Sequence, residues 1–164
     1  MTDSTEMIMA RTWLRVIAVS LWTMLLCNCI DDTVSLQYRR LGLEGWERSD
    51  TLVFDLPEVK EGGEYLPSVL IRTGNLFPYS KLWLCYELEL ECPKLVLRDT
   101  MCVEFASQDV GIVTNGLIVR KYGQSSRPVC LTAGQRGRVR IYHLMMQEVM
   151  PGIMEVGTEI RRGH

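Results

Sequence analysis

The chain has 164 residues, with 18 basic and 20 acidic side chains, a formal charge of −2 and 47% hydrophobic residues. That length fits one domain. The near-balanced charge provides neither the Lys/Arg footprint that nucleic-acid phosphates require nor a polybasic patch for anionic lipid, so both are excluded as electrostatic partners.

At the N-terminus, Arg11 and Arg15 precede an apolar run, Val16–Leu26. About a dozen apolar residues is too short to span a bilayer, which takes ~20, but it suits the core of a signal peptide. Translation can start at Met1 or at Met9, the latter giving the more usual charged beginning Met9-Ala-Arg-Thr-Trp-Leu-Arg15. A buried helix of a water-soluble fold is the other reading, but no later segment has helical periodicity to pack against it. Leu26-Cys27-Asn28-Cys29 resembles a lipobox, with Leu three residues before the lipid-bearing Cys. Cys27 is the second candidate, and Leu26 directly before it fits less well. Two or more acyl chains on Cys29 would anchor the chain stably where one would not. The expected organisation is a signal peptide over 1–28, a lipidated Cys29 and tether over 29–45, and a β domain over 46–164. The acids of Ile30-Asp31-Asp32 read either as a surface-export signal or as part of a solvated tether.

Beyond the tether the signals are short strands between breakers. A first strand is expected around Ser35–Tyr38. Leu52, Phe54 and Leu56 alternate until Pro57, and the Glu61-Gly-Gly-Glu64 turn leads into Tyr65–Thr73, where Val69 and Ile71 share a face. The clearest strand is Leu82–Cys92. Leu82, Leu84, Tyr86, Leu88, Leu90 and Cys92 face one way, and Trp83, Cys85, Glu87, Glu89 and Glu91 face the other, which is the pattern of a half-buried strand with one wet side. Pro93 ends it, having no N–H for a ladder. Further strands are expected at Thr100–Ala106, Gly116–Tyr122, Arg138–Gln147 and Ile153–Arg161, punctuated by Gly111, Asn115-Gly116, Gly123, Gly134, Gly137 and Pro151-Gly152. This spacing predicts an all-β fold, an antiparallel, jelly-roll-like β-sandwich of about seven to nine strands following the N-terminal signal helix.

No catalytic site, cofactor or metal is expected. Cys85, Cys92, Cys102 and Cys130 include no C-x₂-C pair. Cys85 and Cys92 point to opposite faces of one strand and cannot bridge. A Cys92–Cys102 disulfide across the turn and buried free thiols acting as small hydrophobes both remain open, with buried free thiols the simpler reading. His143 and His164 are the only imidazoles, and His143 reads as a satisfied strand residue. Glu87, Glu89 and Glu91 beside Trp83 are either a solvated face or the lining of a sugar-binding surface.

Several segments together resemble the gliding motility-associated lipoprotein GldH family of the Bacteroidota. They are Trp46 with Asp50–Phe54; Ile71-Arg72-Thr73 followed by Phe77-Pro78-Tyr79-Ser80-Lys81-Leu82-Trp83-Leu84; Asp99-Thr100 with Gly111 and Gly116; and Met146-Gln147 followed by Pro151–Ile160. The resemblance implies an outer-membrane-associated lipoprotein needed for gliding and linked to a secretion machine. It implies membrane contact through the lipid anchor and other envelope or motility proteins as partners. A lipid-anchored carbohydrate-binding module is the alternative. Pro78 holds Phe77 extended and sets two aromatics at the mouth of the long strand. Arg72 is expected to pair with Glu87 or Glu89 on a neighbouring strand. Gly152 and Gly157 read as a turn and a close backbone approach. Aromatics and Arg dominate binding hot spots, so Trp46, Arg72, Tyr79 and Trp83 are the candidate binding surface.

Overall fold

The computed structural model describes residues 33–74, 77–105, 112–114 and 117–163, with 112–114, 117–122 and 124–125 described by backbone alone. The signal segment, Cys29, Asp31-Asp32, Gly111 and Asn115-Gly116 lie outside the described residues. In chain order the strands are β1 (Thr33–Arg40), β2 (Trp46–Glu47), β3 (Leu52–Leu56), β4 (Gly63–Thr73), β5 (Lys81–Leu90), β6 (Leu95–Glu104), β7 (Ile112–Thr114), β8 (Leu117–Ser125), β9 (Val129–Leu131), β10 (Gly137–His143), β11 (Val149–Met150) and β12 (Ile153–Arg162). One sheet runs β1-β12-β4-β8-β7, with β9 also on β4, and the other runs β3-β10-β5-β6; β2 and β11 form a short pair. All pairings are antiparallel.

β8 and β9 share one edge of β4, with Ser125 opposite Ser68 and Val129 opposite Tyr65. Between them Pro67 lacks the N–H that would continue the ladder. The Ser126 N–H still donates to the Pro67 carbonyl at 2.8 Å, and the strand kinks before Pro128. With β8–β9 taken as one interrupted strand, the sandwich has eight principal strands. The first, eighth, third and sixth form one sheet and the second, seventh, fourth and fifth form the other. This double Greek key is the jelly-roll arrangement.

Period-two alternation explains the core. Leu82, Leu84, Tyr86, Leu88 and Leu90 of β5 meet Val69, Ile71, Val156 and Ile160 from the facing sheet in one buried cluster. Each fully buried aliphatic side chain contributes about 1.5–3 kcal/mol. Two details differ from the sequence reading. β5 ends at Leu90, so Cys92 is exposed rather than inward. The outer face is also not uniformly wet, because Cys85 and Glu87 are buried there. Strand β1 lies within the folded unit that begins at Asp32, so part of the expected tether belongs to the sandwich.

Candidate functional site

Trp46 is fully buried, not part of an exposed aromatic patch. Its indole N–H donates to the Asp50 carbonyl at 2.9 Å, and its ring meets His143 edge-on at 5.3 Å between centroids. Tyr79 packs with Phe77, which in turn packs on Phe105, and Phe77 and Tyr79 rest half-buried on the core. Of the three aromatics proposed from the sequence, only Trp83 is well exposed, at 47%. The expected patch is therefore not assembled. Alternation alone could not show that the segment carrying Trp46 folds back over the end of the sandwich.

Arg72 lies on the outer face of the first sheet, and its partner differs from the one expected. β4 and β5 belong to different sheets, so Glu87 and Glu89 are not its neighbours. Instead Arg72 stands opposite Glu155 on β12 and pairs with it at 2.6 Å, while Arg40 holds the other carboxylate oxygen at 3.0 Å. The Arg72 guanidinium also sits 4.7 Å from the centre of the Tyr38 ring. That ring lies over Gly157, where an added Cβ would come within 2.5 Å of it. Two of the segments that carry the family resemblance, around Arg72 and around Gly157, thus meet across a strand pair. The pair is half-buried, and an ion pair open to solvent on one side contributes ~1 kcal/mol or a little more.

The outer face of the second sheet is built in rows set by the strand register. Leu144 and Cys102 flank Trp83, Tyr142 and Thr100 flank Cys85, and Arg140 and Arg98 flank Glu87. Glu87 accepts hydrogen bonds from Tyr142 at 3.0 Å and pairs with Arg98 at 2.6 Å. Contact with the Cys85 thiol, then burial, then Glu87, raises the Tyr142 pKa, so its hydroxyl stays protonated. Glu89 pairs with Arg138 at 3.2 Å. Two of the three acids expected to line a sugar surface are therefore tied to arginines. Tyr142 was missed in the sequence, although once β10 is set beside β5 the register places it on Cys85.

Cys85, Cys92, Cys102 and Cys130 are all free, as the simpler reading has it, with no Cys92–Cys102 bridge, but only Cys85 is buried; Cys102 is half-buried and Cys92 and Cys130 are exposed. His143 is 2% exposed, and among the described residues neither ring nitrogen meets a partner in hydrogen-bond geometry, so it is buried but not fully satisfied. Burial lowers its pKa. Above pH ~6.5 the ring is neutral whether the chain is folded or unfolded. Below that, the unfolded chain takes up a proton that the folded chain refuses. Stability then falls by up to ~1.4 kcal/mol per pH unit until the pH passes the folded value. Urea midpoints at pH 7.5 and 5.5 should show a loss for the parent chain that His143→Phe reduces. An equal loss in both would place the acid sensitivity elsewhere.

A cavity of about 210 Å³ opens where Pro67 interrupts the ladder. Its lining includes the apolar Tyr86, Leu88, Leu97 and Val129 and the polar Asp99, Ser126 and Arg127. Asp99 accepts from the Ser126 hydroxyl at 2.8 Å and from the Arg127 backbone N–H at 3.3 Å, fastening β6 to the β8–β9 kink. The Asp99-Thr100 segment thus acquires a structural role that the sequence did not reveal. Its only signal was an acid in register with inward-facing Tyr86. Among the described residues, no group of His, Cys, Asp or Glu is placed to hold a metal, and no helix is long and apolar enough to cross a membrane.

Residues 33–160 match the family model described as GldH lipoprotein. Among curated proteins none matches the sequence. Of solved structures, the Eiger TNF of S. frugiperda aligns at 16% identity and a TM-score of 0.28, over 65% of this chain and 63% of its own. Dimeric latent PorU of Porphyromonas gingivalis aligns at 12% identity and a TM-score of 0.34, over 80% of this chain. The chain spans just under two thirds of the first and 13% of the second.

Proposed function

This chain belongs to the GldH lipoprotein family, and we infer that it works as a non-catalytic assembly component of the gliding machinery or of the secretion machinery linked to it. Membership makes it a gliding-motility-associated, lipid-anchored protein of the cell envelope. We place the anchor at Cys29 on the strength of the lipobox-like Leu26–Cys29, and the site of action at the outer membrane on the strength of the family resemblance alone.

One observation carries the assembly role. β1 begins at Thr33 opposite Arg161, and the loops and short strand β11 at the other end expose Leu43, Leu144, Met146 and Val149, beside Trp83 and Met154. Among the described residues, six of the ten exposed large hydrophobics thus lie at the end away from Thr33. Met and Leu on mobile-length side chains suit adaptable protein contacts. A clean deletion strain should lose surface spreading or secretion of exported cargo. Normal spreading together with normal secretion would remove this role.

The exposed Trp83 supports a second reading, a lipid-anchored carbohydrate-binding module, since an indole face can stack on a sugar ring. Calorimetry with soluble glycans at millimolar concentration tests it. Absence of binding, or binding unchanged by Trp83→Ala, would eliminate it.

A further inference from the structure

Two connecting segments cap the end of the sandwich that carries the exposed apolar residues. Residues 41–51 link β1 to β3 through β2, and residues 144–152 link β10 to β12 through β11. They meet in a pair only two residues long, Trp46 with Met150 and Glu47 with Val149. The Arg48 N–H donates to the Glu148 carbonyl at 2.7 Å, and a Cβ on Gly45 would meet the Met150 carbonyl. The cap is thus closely seated, yet its ladder is short beside the seven residues over which β10 pairs with β5. His143, the last residue of β10, lies at the joint between cap and sheet. Leu84 stands beside it on β5, and Trp46 of the cap covers it edge-on. Both Trp46 and Met150 are fully buried, so the cap closes the core over a polar ring.

The geometry points to an acid-operated latch: protonation of His143 frees Trp46 and the β2–β11 pair from the end of the sandwich, dismantling the apolar surface of Leu43, Leu144, Met146 and Val149. A neutral imidazole tolerates an apolar site, whereas the imidazolium brings a full charge and two N–H donors. Among the described residues no acceptor stands in hydrogen-bond geometry with either nitrogen, and an unpaired charge is costly to bury. Lifting the cap lets water reach the ring while both sheets keep their ladders, a local opening of the least secured part of the fold. The charges that act on the ring, Arg48 and Glu148, both belong to the cap and oppose one another, and the Trp46 backbone favours the protonated form. Burial outweighs them and lowers the pKa. On its own strand Arg138 and Arg140 point to the opposite, outer side. The closed cap therefore refuses a proton that the open cap accepts near pH ~6.5. Closure is at full strength above that pH, and below it the open fraction rises up to about tenfold per unit until the pH passes the closed value.

This rests on the assembly role inferred above and adds its regulation. The test reads the cap alone, so its failure would leave the deletion phenotype standing, and a silent deletion would leave the latch standing. Amide hydrogen exchange of the full-length chain in detergent is followed by mass spectrometry at pH 7.5 and 5.5, with intrinsic rates divided out. We expect protection of peptides covering Trp46–Arg48 and Glu148–Met150 to fall at least about fivefold at the lower pH, while β4 and β5 keep theirs. His143→Phe, which fills the site with an uncharged ring, should abolish the fall, and His143→Leu replaces it if circular dichroism shows the first variant unfolded. Four results would overturn the latch. They are cap protection unchanged by pH, an equal fall in β4 and β5, a fall that persists in a folded variant, and loss of fold in both variants at neutral pH, where a latch residue is dispensable.

Discussion

Replacing Trp46 with alanine is expected to destabilise the chain by ~3–5 kcal/mol, the usual cost of removing a fully buried indole. The side chain has no solvent exposure, its N–H bond to the Asp50 carbonyl fixes the turn into β3, and its ring covers His143. Truncation removes the buried area, leaves a cavity and uncovers an imidazole whose nitrogens meet no partner in hydrogen-bond geometry among the described residues. At roughly 2–8 °C per kcal/mol for a domain of this size, the melting temperature should fall by at least ~6 °C. Trp83→Ala, on the exposed outer face, should cost ~1 kcal/mol or less. Parallel thermal melts of the two variants check this. Equal, small losses would mean that Trp46 is not in the core.

Gly157→Val should cause a loss of similar size for the opposite reason. A Cβ at this position would come within 2.5 Å of the Tyr38 ring and 2.7 Å of the Gln37 carbonyl oxygen. The ring could rotate away, but the carbonyl is backbone, so β1 would have to shift from β12. Overpacking of this kind costs ~1–3 kcal/mol, and more where a strand must move. Displacing Tyr38 also frees the Arg72 guanidinium from the ring face. Urea denaturation should give a midpoint well below that of the parent chain, and a Tyr38→Ala, Gly157→Val double variant should recover only part of it, because the Gln37 contact remains. Full recovery would show that the aromatic clash is the whole effect.

Where alternation was strict, the sequence was readable. Leu52–Leu56, β4 and the inward row of β5 sit as their patterns require, and the jelly-roll arrangement follows from many short strands between breakers. The positions of Gly152, with φ of 77°, and of Gly157 also agree with a turn and a close approach. What could not be read was pairing between distant strands. Arg72 finds Glu155 and not Glu87, since alternation shows which face a side chain takes but not which sheet its strand joins. Trp46 was placed on the surface because its two-residue strand has no periodicity to betray burial. The β5 alternation points Cys92 inward only if it runs two residues past the strand's end at Leu90. The β8–β9 kink escaped because Pro67 sits mid-strand, where a proline usually argues against a central strand, and its cost is offset by the Ser126 bond to its carbonyl and the Asp99 clamp.

The most direct test of the central claim, an aqueous β-sandwich held at a membrane by acyl chains on Cys29, is labelled-palmitate incorporation combined with membrane fractionation of the parent chain and Cys29→Ala. The parent chain should carry label and sediment with the outer membrane, and the variant should carry none and leave that fraction. An unlabelled parent chain, or a variant that still sediments with the membrane while keeping its label, would contradict the anchor.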